Sequence, residues 1–429
     1  MEMDELWIAA VDACEILDSR GRPTLRVTLR TKDGRTATAG VPSGASTGSR
    51  EAVELRDGDP DRFGGQGVLR AIGSVTGEIA DLLREQAWPE QEELDAAMVE
   101  LDGTPEKSRL GANAIVGVSM AAARLFAGDI ALWRHLVTPA APPRLPVPHF
   151  NVLNGGLHAA NPLDFQEFMI APIGASSMAE AVRCGAEVYA ALRRLLTASG
   201  HAVGLGDEGG FAPDVAEPEQ ALRLLVQAIE NAGYPASRDG VAVALDPAAS
   251  QFHQLDGTYL IAGQRHTSAD VVARYARLVE DFPLWSIEDG MAEDDIEGWR
   301  LLRGQLGDRV QIMGDDLFVT NALLIAEGAH AGLANSALIK LNQIGTVSET
   351  LRAIRTCRDN GMTAQVSHRS GETTDDFIAD LAVGCGCGQL KAGAPARGER
   401  VAKYNRLMAI ARQEPTLHYG LSLAALAVH

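Results

Sequence analysis

Four apolar runs in the second half of the chain each stop at a single polar side chain. Residues 241–245 (VAVAL) end in Asp246, 284–287 (LWSI) in Glu288, 310–314 (VQIMG) in Asp315 and 337–339 (ALI) in Lys340. From Glu288 onward the stops recur about every 25 residues, the length of one strand plus one crossover helix. The longer step from Asp246 to Glu288 leaves room for an insertion. Such alternation specifies a βα barrel or an open parallel sheet. Polar residues ending several strands favour the barrel, where functional groups collect at the carboxyl ends of the strands. Three carboxylates gathered there would hold a hard divalent cation, and a lysine beside such a cation can serve as a base.

Charge narrows what the chain acts on. A formal net charge of −19 over 429 residues argues against general nucleic-acid binding and against docking on anionic lipid. An anionic small substrate stays compatible, because local cations can offset the global field. Hydrophobic residues make up 46%, enough for a sizeable core, yet no apolar stretch is long enough to span a bilayer. Residues 1–5 (MEMDE) are acidic and do not form the basic start of a signal peptide. Cys14, Cys184, Cys357, Cys385 and Cys387 are scattered and read as reduced thiols, so a cytoplasmic location is expected. Cys385 and Cys387 are too isolated a pair to define a metal site.

The first part of the chain reads as α+β. Leu25, Val27 and Leu29 alternate with Arg26, Thr28 and Arg30, the pattern of a half-buried strand, and Asp33 with Gly34 marks a hairpin into a second strand. Ile115, Val118, Ala122 and Leu125 recur at helical spacing within residues 110–127. Residues 138–143 (TPAAPP) read as a linker. Two units are therefore expected, 1–138 and 139–429. In the second, a helix carries Leu222, Leu225, Val226 and Ile229, with Pro218 at its start and Gly233 past its end.

Several motifs carry chemistry. Residues 204–209 (GLGDEG) match GxGxxG, but Asp207 and Glu208 would face a pyrophosphate with like charge and Pro213 follows where a helix should run. A loop presenting a carboxyl group, or a plain turn, fits better. Residues 41–48 (VPSGASTG) form a small, hydroxyl-rich loop that either closes over a substrate or is a simple exposed turn. His158 follows a glycine pair, and Glu167 stands between Phe165 and Phe168 after Gln166. His368, Arg369 and Ser370 arrive together after a short apolar stretch, and arginine with serine makes a phosphate grip. Lys391 comes about one βα step later.

Ten segments in order along nearly the whole chain resemble the enolase (phosphopyruvate hydratase) family. They are 16–21 (ILDSRG), 42–48 (PSGASTG), 107–113 (KSRLGAN), 166–169 (QEFM), 206–211 (GDEGGF), 286–289 (SIED), 314–316 (GDD), 342–346 (NQIGT), 367–373 (SHRSGET) and 403–405 (KYN). The resemblance implies an α/β fold, with a C-terminal modified (β/α)8 barrel that opens ββαα and an N-terminal α+β lid domain. It implies two Mg2+ ions, one held by Asp246, Glu288 and Asp315 and a second near the substrate phosphate with help from Ser46. Lys340 would remove the proton next to the substrate carboxylate. Glu208, supported by Glu167, would protonate the departing hydroxide. His158, Gln166, His368, Arg369, Ser370 and Lys391 would contact or orient a small phosphorylated substrate, with Arg369 and Ser370 on the phosphate. For these roles Lys340 must be neutral, pushed down by Mg2+ and Lys391 against the pull of the carboxylates, and Glu208 must be protonated, with its pKa raised. The family also implies a homodimer or a ring of dimers.

The chain departs from the usual family pattern at Leu157, Ala160, His149, Phe150, Pro247, Ala392 and residues 421–429. Those near the His158 loop admit a second reading, an enolase paralogue of phosphonate biosynthesis forming an analogue such as carboxyphosphonoenolpyruvate. A third, a protein kept as a binding scaffold, fits the intact residue set least.

Overall fold

The structure is a computed structural model describing residues 5–45, 48–138 and 141–421. Ser46 of the hydroxyl-rich loop, and Pro139 and Ala140 of the linker, lie outside the described residues.

Strands β1 (Ile8–Leu17), β2 (Pro23–Thr31) and β3 (Thr36–Gly40) form an antiparallel sheet in that order. In β2 the alternation holds: Leu25, Val27 and Leu29 are buried while Arg26 and Arg30 face solvent. Gly34 makes the β2–β3 turn at φ +93°, a conformation that costs glycine little. The sheet packs on helix Ala112–Ala127, which is rich in alanine and buried on nearly every side. Gly111, at φ +97°, delays its start beyond the apolar pattern. β1 escapes the sequence pattern because it is an edge strand, with Ile8 its one fully buried residue.

The rest of the described chain closes into a barrel. Its strands are β4 (Val147–Asn154), β5 (Glu167–Ala171), β6 (Ala242–Asp246), β9 (Leu284–Glu288), β10 (Gln311–Gly314), β11 (Ser336–Ile339), β12 (Thr363–Ser367) and β13 (Gln389–Lys391), hydrogen-bonded in that order around the ring. Helices Met178–Ala198 and Pro218–Asn231 separate β5 from β6, giving the ββαα opening. The expected insertion before Glu288 is a hairpin, β7 (Tyr259–Ile261) and β8 (Gln264–His266), followed by helix Ser268–Asp281. That helix begins at a reciprocal cap between Thr267 and Asp270.

Strand β5 runs antiparallel to both neighbours. Its first residue, Glu167, therefore pairs with Asn154 and Asp246, the last residues of β4 and β6, and arrives at the same end of the barrel as the other strand tips. The N-terminal unit sits over this end. Ser43 and Gly371 exchange backbone hydrogen bonds at 2.8 and 2.9 Å, and Arg124 pairs with Asp375 at 2.7 Å. Asp95 accepts Ser348 N at 3.0 Å and Ser348 Oγ at 2.6 Å, anchoring a lid helix to the barrel helix Val347–Asp359. Among the described residues no helix is long and apolar enough to cross a membrane.

Candidate active site

Every expected site residue among those described reaches one barrel mouth. Asp246, Glu288 and Lys391 are the last residues of β6, β9 and β13, while Asp315, Lys340 and His368 immediately follow β10, β11 and β12. The three acids occupy three successive strand tips, because β6, β9 and β10 are ring neighbours. Lys340 and Glu167 stand on opposite walls, since β11 lies four places around the ring from β5. His158, Gln166, Glu167, Glu208, Asp246, Lys340, Ser367, His368, Arg369, Ser370 and Lys391 line one cavity between them.

Lys391 is the electrostatic centre. Its Nζ lies 3.1 Å from Asp246 Oδ2, 2.8 Å from Glu288 Oε1 and 3.2 Å from Glu167 Oε2, all buried. Burial works against its charge, but Asp246, Glu167 and Glu288 overturn this and hold the ammonium well above the usual lysine range. Burial, joined by the Asp246 charge, pushes Glu288 well up.

Lys340 pairs with Asp315. Burial would lower the lysine, yet the Asp315 charge raises it, so it is a cation in this arrangement, the opposing carboxylate effect expected from the sequence. The carboxylate pull wins, and Lys340 in turn holds Asp315 below the usual range despite burial. Gln343 Nε2 steadies Asp315 Oδ1 at 2.8 Å, and Thr320 accepts Lys340 N at 2.9 Å and donates to Gln343 Oε1 at 2.7 Å.

On the far wall the expected pKa rise falls on the other carboxyl. Burial and the Glu208 charge push Glu167 well up. Burial also disfavours the Glu208 anion, while the polar groups set against it, the His368 ring and the Arg400 cation behind that ring, favour it. Asn151 Nδ2 donates to Glu208 Oε2 at 2.9 Å and His368 Nε2 lies 3.1 Å from the same oxygen. Two acids in one dry site cannot both ionise, so the pair shares one proton.

Arg400, fully buried, fixes which nitrogen of His368 faces Glu208. A guanidinium only donates, so its contact to Nδ1 leaves the ring proton on Nε2. Burial pushes His368 down to about 3, so the ring is neutral. Arg400→Met is expected to let the His368 proton redistribute between the two nitrogens, measured by nitrogen NMR of the imidazoles. An unchanged ring would show that Glu208 alone sets it.

Asp246, Glu288 and Asp315 have the donor chemistry of a hard divalent cation: three buried carboxylates at successive strand tips, the first two paired with Lys391 and the third with Lys340. Gln166 Oε1, buried and without a hydrogen-bond partner, adds an oxygen beside them, its Nε2 being 3.5 Å from Asp246 Oδ2. A tighter acid group, Asp289, Asp315 and Asp316, fits less well. Both Asp289 oxygens already accept backbone N–H groups, from Asp315 and Asp316 at 2.8 Å each.

Fold and mouth define a capped βα barrel with a buried acid–lysine site at its strand tips. Residues 8–136 match the family model "Enolase, N-terminal domain" and residues 143–418 match "Enolase, C-terminal TIM barrel domain". The enolase of Rubrobacter xylanophilus is 54% identical over 407 residues, covering 94% of each chain. Those of Acidothermus cellulolyticus and Beutenbergia cavernae are 54% and 53% identical over 405 residues, again covering 94% of each chain. The chain belongs to the enolase family, and is an enolase-type dehydratase of the carbon–oxygen lyase class.

Proposed function

We propose that this chain converts 2-phosphoglycerate to phosphoenolpyruvate and water. The observation that carries the reading is the pair of facing walls: an amine, Lys340, on one side of the mouth and a one-proton acid pair, Glu167 with Glu208, on the other. A β-elimination needs that arrangement, a base at the carbon next to the carboxylate and an acid at the departing hydroxyl. Asp246, Glu288 and Asp315 would hold Mg2+, which when bound would supply fixed positive charge where the substrate becomes more negative.

The chain's own residues do the rest. Lys340 takes the proton at Nζ once Asp315 no longer holds it as a cation. Glu208 delivers the proton that it shares with Glu167 to the departing hydroxyl. His158 and His368, both held neutral by burial, orient that pair without competing for its proton. Lys391 keeps its charge throughout and faces the substrate carboxylate.

Leu157 and Ala160 face solvent, and neither they nor Pro247 and Ala392 line the mouth cavity. No observation at the mouth therefore favours the phosphonate reading. The direct test is dehydration of 2-phosphoglycerate followed by absorbance of the enol product. Turnover is expected, is expected to stop on chelation and to return with Mg2+; persistence in the stripped protein would remove the carboxylate assignments.

A further inference from the structure

The arginine expected to grip phosphate already holds an anion. Arg369 Nη1 donates to Glu51 Oε2 at 2.9 Å and Nη2 to Glu51 Oε1 at 3.1 Å, the two-pronged fork that guanidinium makes with carboxylate or phosphate alike. The pair is close to dry, with side chains 3% and 9% exposed. Asn342 Oδ1 accepts from Nη1 at 3.1 Å. The glycine-rich loop presses on the same group, for a Cβ at Gly44 would stand 2.0 Å from Arg369 Nη2. The guanidinium therefore has little freedom to turn toward a ligand while keeping Glu51.

Breaking a buried ion pair usually strands a charge at high cost. Here Glu51 has somewhere to go. Its Oε1 also accepts Gly48 N at 3.1 Å and Gln343 Nε2 at 3.3 Å. Those two donors remain when the arginine leaves, and Gln343 Nε2 is the group that also holds Asp315 Oδ1. Exchange of one forked anion for another at Arg369 then leaves Glu51 Oε1 with two donors, so less than the whole carboxylate is stranded.

We infer that Glu51 is an internal competitor for Arg369: it occupies the guanidinium between turnovers, yields it to the substrate's phosphate and recaptures it as product leaves. This rests on the reading that Arg369 binds that phosphate. Glu51 acts through the arginine, so it is a positioning residue. The competition weakens anion binding and speeds release.

The probe is inorganic phosphate, titrated by phosphorus NMR into the full chain with Mg2+, alongside steady-state kinetics on 2-phosphoglycerate. Glu51→Gln removes the charge, while Glu51→Asp keeps it but draws it back from the fork. Both are expected to tighten phosphate, by about tenfold for Glu51→Gln given what a charge-assisted pair contributes. KM and kcat are both expected to fall as release slows. Weaker phosphate binding in both variants would make Glu51 a mere support for Arg369 and overturn the inference. Tightening in Glu51→Gln alone would reduce it to a plain charge effect, also against it. Arg369→Ala separates the two levels: phosphate affinity unchanged in that variant would end the functional reading itself. Melting curves check folding, and Glu51→Asp carries the test if Glu51→Gln does not fold.

Discussion

Lys340→Ala is expected to abolish exchange of the substrate α-proton with solvent and to lower kcat by about a thousandfold or more, on the scale of a lost general base. The exchange readout in deuterated water matters more than the rate, because it isolates the proton-removal step from elimination and release. The reasoning is positional. Lys340 follows β11, four ring places from the β5 tip that carries Glu167, so the two cannot act on the same face of a bound substrate. It is paired with Asp315 and therefore charged in this arrangement. It becomes a base only when the Asp315 charge is engaged elsewhere, and that carboxylate is one of the three expected to hold a metal. The substitution should leave the fold in place, since Gln343 still donates to Asp315 at 2.8 Å. Retained exchange in a folded Lys340→Ala protein would take the base role from this residue and assign it to the far wall.

How much of this was legible in the sequence follows from which signals are local. Asp246, Glu288, Asp315 and Lys340 announce themselves because a short apolar strand is interrupted at its tip by a group that belongs at the barrel mouth. Glu167 gives no such cue: β5 runs the other way, so its functional residue opens the strand, and between two phenylalanines it reads as a core carboxyl. Arg400 and Glu51 were not singled out at all. Arg400 lies in the first turn of helix Gly398–Gln413, 32 residues from its partner His368, and Glu51 lies just beyond the hydroxyl-rich loop, 318 residues from its partner Arg369. Asn151 could have been found, as a polar residue within the buried strand β4. Protonation was the least legible property. Whether the proton sits on Glu167 or Glu208 depends on which carboxyl meets Asn151 and His368, a matter of ångströms that spacing does not encode.

Lys391→Met should be the most destabilising single change at the mouth, and reversibly so. The ammonium is 2% exposed and lies within 3.2 Å of carboxylates from β5, β6 and β9. Removing one partner of a buried ion cluster leaves the others uncompensated, at about 3–5 kcal/mol. For a chain of 429 residues that is a fall of roughly 3–6 °C in Tm for metal-free protein. The sign of the pH dependence follows from Glu167 and Glu288. Both already titrate well above the ordinary glutamate value because of burial and neighbouring anions, and Lys391 is the group that restrains the rise. Without it their folded-state pKa values climb further. A carboxyl whose folded pKa exceeds its unfolded one carries no penalty below the unfolded value and loses stability as pH rises through the folded value. The variant should therefore approach wild-type stability near pH 4 and fall away from it toward neutrality, on the scale set by the ordinary carboxylate pKa of about 4.3. Mg2+ should narrow the gap at pH 7, because a cation bound by the native acids stabilises in proportion to its occupancy and takes over part of the missing charge. A melting series at two pH values, with and without Mg2+, separates this from a simple packing defect. A loss of packing would lower Tm equally under all four conditions.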